Sequence, residues 1–214
     1  MRYLYIDTSS SFLYSGIVSE GKLIASITEQ MDNDLSRITL KRISEMFDEA
    51  KLKPNDIDKI IVVNGPGSFT GIRVGITIAK TYAWGLNKDI TTISSLEAMA
   101  TSVDNDKVKI PLIDARRNYV YSAIYDNDDV ILKDCHIKLD DLLEKISKIS
   151  KEVCIITNDE IDIPFEKEEY KPNILKIVEK YKDREKINPH VVNPDYLKLT
   201  EAEEKKNNND WKSG

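Results

Sequence analysis

The predicted elements of this chain follow the same order twice, and this repeat limits the folds that are open to it. In the first half, apolar alternation around a hairpin signal at Glu20-Gly21 predicts three strands, at 3–6, 13–19 and 23–28. The pattern then predicts a helix capped by Asn33 or Asp34 at about 34–51, a buried strand at 58–64 and an apolar helix at about 70–86. A further strand at 90–93 and a short helix at 94–100 follow. Three strands, a helix, a strand and a helix are then predicted again, at 108–113, 119–125, 130–137, 140–149, 153–157 and 174–182.

The repeated order predicts a two-lobed α/β fold with mixed sheets flanked by helices. This is the order of the actin-like, or ASKHA (ribonuclease H-like), superfamily, in which a nucleotide lies between the lobes; likeness of fold carries no function by itself. The polar run Asp104-Asn105-Asp106 is the best candidate boundary. We therefore expect an N-terminal lobe at 1–103, a C-terminal lobe at 104–200 and a flexible tail at 201–214.

Composition excludes several classes of function. Asp and Glu number 37 against 31 Lys and Arg, and the net charge of −6 disfavours stand-alone binding of nucleic acid. The two histidines, His136 and His190, are far apart, and the sequence holds no H-x-x-x-H or C-x-x-C pair. We therefore expect no metal site and no histidine-based nucleophile, and we place both histidines at the surface or in turns. The two cysteines, and an N-terminus that turns polar at Asp7, indicate a cytoplasmic protein without a membrane segment.

The most informative stretch joins a predicted strand to a predicted helix and reads Gly65-Pro66-Gly67-Ser68-Phe69-Thr70-Gly71-Ile72-Arg73-Val74-Gly75. Its backbone amides and the helix dipole could bind an anion, or its glycines could serve a tight turn, and the sequence leaves the two open. Asp7-Thr8-Ser9 could hold a magnesium water or a phosphate oxygen, although a turn that satisfies its own amides is favoured. The candidate loop residues are Asp7, Thr8, Ser9, Gly65, Pro66, Gly67 and Ser68.

The two long helices of the first half carry more apolar surface than one core contact needs. Gly71, Gly75, Ala79 and Ala83 form a stripe of small residues that lets another backbone come close. A three-layer core and a docking face for a partner explain this surface equally well. The candidate partner residues are Leu35, Ile38, Arg42, Met46, Arg73, Ile76, Lys80 and Ala83.

Asp114-Ala115-Arg116-Arg117-Asn118-Tyr119 joins two predicted strands of the second half. Its two arginines could grip a phosphate or a carboxylate of a partner. A solvated turn is the more common role for such a segment, and we favour it here.

The glycine stretch closely resembles the Gly-Pro-Gly-Ser-Phe-Thr-Gly-hydrophobic-Arg signature of the TsaB (YeaZ) family, which serves tRNA threonylcarbamoyladenosine biosynthesis. Weaker matches are Asp7-Thr8-Ser9, Ser94-Ser95-Leu96-Glu97-Ala98-Met99, Asp114 to Tyr121 and Pro194-Asp195-Tyr196-Leu197-Lys198. One departure is Leu35-Ser36-Arg37, where the family often has His-Ser-Glu/Gln. The partner contact here is therefore expected to differ at Leu35.

The resemblance implies an ASKHA fold and a non-catalytic paralogue of TsaD, the subunit that modifies adenosine 37 of ANN-decoding tRNAs. It implies pairing with TsaD through the helices of the first lobe, with TsaE joining that pair and a homodimer possible through the same face. It implies contact with tRNA only through the complex and no required cofactor; nucleotide in the cleft or at the partner interface stays open. TsaD itself binds its metal through an H-x-x-x-H motif that this chain lacks.

Other classes of function predict different behaviour. A kinase or ATPase of the same superfold would use Asp7 and the loop from Gly65 to Gly67 between the lobes. A metallopeptidase and a direct tRNA-binding module are weaker alternatives, because metal-ligand pairs are missing from the sequence and the net charge is negative.

Overall fold

A computed structural model describes residues 1–31 and 35–197 of the chain. The first sheet has the strand order β3-β2-β1-β4-β5. Its strands are β1 (Arg2–Asp7), β2 (Phe12–Ser19), β3 (Lys22–Gln30), β4 (Lys59–Val63) and β5 (Asp89–Ile93). The first three strands pair antiparallel, and β4 and β5 continue the sheet parallel to β1.

The second sheet repeats this arrangement. Its order is β10-β9-β6-β7-β8, with β6, β7 and β8 antiparallel and β9 and β10 parallel to β6. The strands are β6 (Val108–Asp114), β7 (Tyr119–Asp126), β8 (Asp129–Lys138), β9 (Val153–Ile156) and β10 (Lys167–Glu168). Position by position, the two sheets share order and direction, which confirms the prediction of a two-lobed actin-like fold with mixed sheets flanked by helices.

Five helices form the layers around the sheets. They are α1 (Leu35–Glu49), α2 (Phe69–Gly85), α3 (Ser95–Ser102), α4 (Leu139–Ile146) and α5 (Ile174–Tyr181). The helices α1 and α2 cover one face of the first sheet, where Ile43 and Ile72 pack with Ile6. Between the sheets lie α3 and α5, with Leu96 and Ile177 in a shared core. The outer face of the second sheet packs against α4.

The small-residue stripe of α2 faces the first sheet, and it allows the close approach of another backbone that its periodicity predicts. Ala79 and Ala83 are buried, and a side chain at Gly71 would overlap the carbonyl oxygen of Thr8. Thr8 in turn donates its hydroxyl to the carbonyl of Gly71 at 2.7 Å. The approaching backbone is therefore the turn that follows β1.

The segment 183–197, which we call the C-terminal strap, returns to the first half of the chain. The backbone amides of Ile187 and Asp195 donate to the carbonyls of Ile90 and Asn64, both at 2.8 Å. The strap covers part of α2, and Val192 is buried in the core between them. The proposed boundary near residue 103 stays a prediction, but these strap residues, expected in the second lobe, contact the first. The physical reason is that the strap covers apolar surface of α2 and pairs with β5 at the edge of the sheet, both of which would otherwise be exposed.

Each helix and strand predicted from the sequence is present within three residues of its expected ends, among the residues that the structure describes. The candidate caps Asn33 and Asp34, and the tail 201–214, lie outside the described residues. The two-residue strand β10 was not predicted, because a segment of two exposed charged residues has no apolar periodicity.

Replacing Gly71 with Ala tests the close approach of the β1 turn to α2. The added methyl group would meet backbone that cannot move aside, so we expect Gly71→Ala to lower the free energy of unfolding by about 1–3 kcal/mol in urea denaturation. Gly85→Ala is the matched control on the same helix, because nothing lies within 4 Å of its added methyl group. It should leave stability unchanged or raise it by up to about 1 kcal/mol. Equal effects of the two variants would contradict the packing described.

Candidate functional site

A cleft of about 630 Å³ lies between the two halves of the structure. Loops that follow β1 and β4 contribute Ser9, Gly67 and Ser68, while the segment after β6 contributes Asp114 and Arg116. The carboxyl ends of parallel strands meet at this edge, which is where ligands bind in open α/β sheets. The cleft therefore brings together residues of three segments that the sequence singled out: Asp7-Thr8-Ser9, the glycine stretch and the segment from Asp114 to Tyr119.

Asp7 serves the turn rather than the cleft. Its carboxylate accepts hydrogen bonds from the amide and the hydroxyl of Ser9, at 2.8 and 2.7 Å, and from the Tyr5 hydroxyl at 3.3 Å. Only 2% of Asp7 is exposed. Burial raises the pKa of this carboxyl above its ordinary value of 3.8, and the hydrogen bonds from Ser9 and Tyr5 oppose that rise. The geometry is that of the self-satisfied turn that the sequence analysis favoured.

The glycine loop is also closed by internal hydrogen bonds. The amide of Ser68 donates to the Ser9 carbonyl at 2.6 Å, and the Ser68 hydroxyl accepts from Gly71 as the N-cap of α2. Gly65 and Gly67 have φ angles of 119° and 149°, so both need the freedom of glycine. The hydroxyl of Ser95 on α3 donates to the Pro66 carbonyl. The tight-turn role is therefore realised, and anion binding by this loop stays a prediction.

The segment after β6 is a left-handed turn at the rim of the cleft. Arg116, Arg117 and Asn118 have φ angles of 65°, 53° and 62°. The Asp114 carboxylate accepts from the Arg116 amide at 2.8 Å, and the Asp159 carboxylate accepts from the Asp114 amide at 2.7 Å. The favoured turn is present, and the two carboxylates accept from its backbone amides.

A polar network joins the lobes behind the cleft. Asp134 on β8 accepts hydrogen bonds from the Ser94 hydroxyl and, at 2.6 Å, from the Tyr125 hydroxyl. Burial raises the pKa of Asp134, and both hydrogen bonds oppose the rise. Glu97, which completes the cap of α3 with Ser94, pairs with both terminal nitrogens of Arg184 at 2.6 and 3.0 Å. The start of the C-terminal strap is thereby tied to the same helix end that contacts the second sheet.

The two histidines occupy different surroundings. His190 is exposed in a single turn of 3-10 helix, as expected. His136 instead lies half-buried on β8, where its ring stacks on Tyr119 at 4.7 Å and lies 5.3 Å from the ring of Tyr121. The expectation of a surface or turn residue was wrong for His136, because adjacent strands place these aromatic side chains on one face of the sheet.

The structure corrects part of the predicted partner face. Met46, Ile76 and Ala83 are 1%, 4% and 1% exposed in the core beneath α1 and α2, so a partner cannot reach them. The first sheet and the strap cover apolar surface that periodicity alone could not assign to a core or to a partner. The side chain of Leu35 lies outside the described positions.

The remaining candidates on these helices are accessible. Ile38 is half-buried, and Arg42 pairs with Glu29 on β3 and with Glu45 on α1. Arg73 and Lys80 lie on the side of α2 that faces the strap.

Exposed apolar side chains surround the same helices and were missed by sequence reasoning. The exposed fractions are 51% for Leu40, 53% for Phe69, 68% for Trp84 and 61% for Val191. Sequence periodicity does not show which apolar positions of α1 and α2 a neighbouring element covers. The exposed tryptophan is the clearest signal, because exposed Trp is common at protein interfaces.

Over residues 1–31 and 35–197, no group of three or more His, Cys, Asp or Glu side chains is placed to hold a metal ion. In the same ranges no helix combines the length and the apolar composition needed to cross a bilayer.

Comparisons of the sequence and of the structure with known proteins point to the same family. The TsaD family model, described as tRNA N6-adenosine threonylcarbamoyltransferase, matches residues 27–173. The tRNA threonylcarbamoyladenosine biosynthesis protein TsaB of Bacillus subtilis is 31% identical over 96% of this chain and 97% of its own length. TsaB of Escherichia coli is 30% identical over 60% of this chain and 57% of its own length. The solved structure of YeaZ from Pseudomonas aeruginosa superposes with a TM-score of 0.73 at 18% identity, over 91% of this chain and 100% of that one.

The repeated sheets and the cleft between them define a two-lobed ASKHA-like α/β protein. The chain belongs to the TsaB family within the TsaD-like group. The resemblance of the glycine stretch to the TsaB family is confirmed, because the B. subtilis relative matches nearly the whole sequence.

Substitutions of Asp7 separate its role in the turn from a role in binding. Because its pKa is raised in the folded state, this group lowers the free energy of unfolding as pH rises from its ordinary pKa of about 4 through the raised one. Asp7→Asn cannot titrate and should flatten that fall in pH-dependent urea denaturation. Asp7→Ala, which leaves the Ser9 amide unpaired, should cost about 1–3 kcal/mol. Asp162→Asn, at an exposed position, is the control, and an unchanged pH profile in Asp7→Asn would contradict the assignment.

Proposed function

We propose that this chain is a non-catalytic subunit of the tRNA threonylcarbamoylation machinery, and that it pairs with TsaD to modify adenosine 37 of ANN-decoding tRNAs. The observation that carries the proposal is the identity of 31% with B. subtilis TsaB over 96% of this chain. In this proposal TsaE joins the pair, tRNA is contacted through the complex, and the complex works in the cytoplasm.

The non-catalytic assignment is supported by what the candidate residues already do. An ATPase of this superfold would use Asp7 and the segment that follows it. Here Asp7 accepts hydrogen bonds from Ser9 and Tyr5, and Thr8 donates its hydroxyl to the carbonyl of Gly71. The kinase or ATPase alternative stays a prediction, favoured by the cleft alone. Sustained hydrolysis of ATP by the isolated chain, lost in Asp7→Asn, would support that alternative against ours.

The pairing assignment is supported by the surface around α1 and α2. Leu40 is a large apolar side chain in water on a helix whose opposite face is already packed, and the cost of that exposure is recovered when a partner covers it. The same face would also serve a homodimer. Equilibrium sedimentation of the chain alone and mixed with TsaD distinguishes the two assemblies.

A charge at Leu40 tests the docking face. Leu40→Asp places a carboxylate in the proposed contact, and we expect the affinity for TsaD of the same organism to fall at least tenfold in a titration calorimetry experiment. Ile131→Asp is the matched control, because Ile131 is 55% exposed on β8 of the second sheet, close to the 51% of Leu40. Both variants should fold like wild type. Equal affinity of the two for TsaD would contradict the choice of face.

Removal of the chain tests the role itself. Cells lacking it should contain little or no threonylcarbamoyladenosine in their bulk tRNA, measured by mass spectrometry of nucleosides, and the Leu40→Asp variant should restore less of it than Ile131→Asp. Wild-type levels of the modified nucleoside without the chain would refute the proposed function.

A further inference from the structure

A groove of about 670 Å³ runs between α2 and the C-terminal strap. Its floor is apolar and its walls carry donors; the lining residues are Arg73, Ile76, Thr77, Lys80, Thr81, Val192, Asn193, Pro194 and Tyr196. Arg73 and Lys80 are two helical turns apart, which places them about 10 Å from each other along the helix axis. Thr77 lies between them on the same side of α2. The groove therefore presents a short row of donors with a positive charge at each end.

The two positive charges of the groove have no negative partner in the part of the chain that the structure describes. Arg73 donates to the hydroxyl of Tyr196 at 2.7 Å, and Lys80 donates to the carbonyls of Val192 and His190 at 2.9 and 3.2 Å. Asp195, the one acidic residue of 187–197, does not line the groove and accepts from the amide of Leu197. An uncompensated pair of cations on a chain of net charge −6 is a local reversal of the overall sign.

Both cations are held in place before any partner binds. The guanidinium of Arg73 lies 3.7 Å from the centre of the Phe69 ring, which itself stacks on Tyr196 at 5.1 Å. Lys80 is fixed by two carbonyl oxygens of the strap. Side chains that are already ordered lose little conformational entropy on binding, so their full electrostatic attraction is available to a ligand.

The rim of the groove indicates a protein ligand. Trp84 and Val191 are exposed, and the Trp84 ring lies 6.1 Å from the ring of His190 on the strap. Tryptophan and arginine around an apolar floor are typical of protein interfaces. Binding of RNA phosphates instead draws on many cations, and this groove offers two.

We infer that the groove between α2 and the strap binds an acidic helix of TsaD, through carboxylates two turns apart that meet Arg73 and Lys80. This inference rests on the proposed function and adds the chemistry of the contact and a reason for partner choice. In a symmetric homodimer whose two-fold axis passes through the groove, the groove would face itself and bring four like charges together. Such a homodimer is disfavoured relative to a heterodimer in which TsaD supplies the carboxylates.

Charge reversal in the groove tests the inference. We expect Arg73→Glu with Lys80→Glu to weaken binding of purified TsaD at least tenfold. Because salt screens the attraction between charges, raising the salt from about 50 to about 500 mM should lower the affinity of the wild type by a larger factor than that of the variant. Arg73→Gln and Lys80→Gln, which remove one charge each and keep a hydrogen-bond donor, should each cause a smaller loss. They also keep the test valid if the reversed pair unfolds. Lys22→Glu with Lys133→Glu, at exposed positions on β3 and β8, is the matched control and should stay within twofold of wild type.

The outcomes separate this inference from the proposed function. If the wild type fails to bind TsaD, both are refuted. If the wild type binds and the folded groove variants bind equally well with the same salt dependence, the inference alone is refuted. A wild-type homodimer that is tighter than the TsaD pair and is lost in the groove variants would overturn the partner choice. Loss of tRNA binding by the isolated chain in the groove variants, with TsaD binding unchanged, would assign the groove to RNA instead.

Discussion

The backbone of the turn after β1 lies against the glycine face of α2. The positions of the cleft and of the helices α1 and α2 depend on this contact. Gly71 allows the approach because any side chain there would occupy the space of the Thr8 carbonyl. The hydroxyl of Thr8 and the carbonyl of Ser9 then bind the helix and the loop before it. With α2 fixed in this way, its N-terminus borders the cleft between the lobes while its far side faces the strap and solvent.

The same contact explains why the glycine-rich signature of the family is needed at this joint of sheet and helix. Gly65 and Gly67 adopt backbone conformations that other residues rarely reach, and Ser68 caps the helix. Asp7, in line with the first strand, satisfies the amide and hydroxyl of Ser9. The loop thus forms a rigid joint between the first sheet and α2, and the helix held by it can present a surface to a partner.

The C-terminal strap links distant parts of the molecule through charged groups. Arg184 binds Glu97 at the start of α3, and buried Lys59 donates to the carbonyls of residues 182 and 184. Beyond these anchors the strap reaches α2 and meets Lys80. One end of the helix α3 also contacts Asp134 of the second sheet, so the strap on the proposed docking side is connected to the junction of the lobes. Burial lowers the pKa of Lys59, yet two carbonyl oxygens hold its ammonium group.

Local pattern was enough to determine the main strands and helices and their duplicated order, because periodicity and capping act over a few neighbouring residues. It left the glycine stretch open between a tight turn and an anion site, and the structure supplied the turn geometry. It also determined that α1 and α2 carry apolar residues on more than one side. Only the tertiary structure decided that Ile76 and Met46 are core while Leu40 and Trp84 are exposed, and that His136 stacks between strands. The reason is physical: what covers α2 is a strap that lies about a hundred residues further along the chain, and no pattern within the helix records the presence of a partner so distant in sequence.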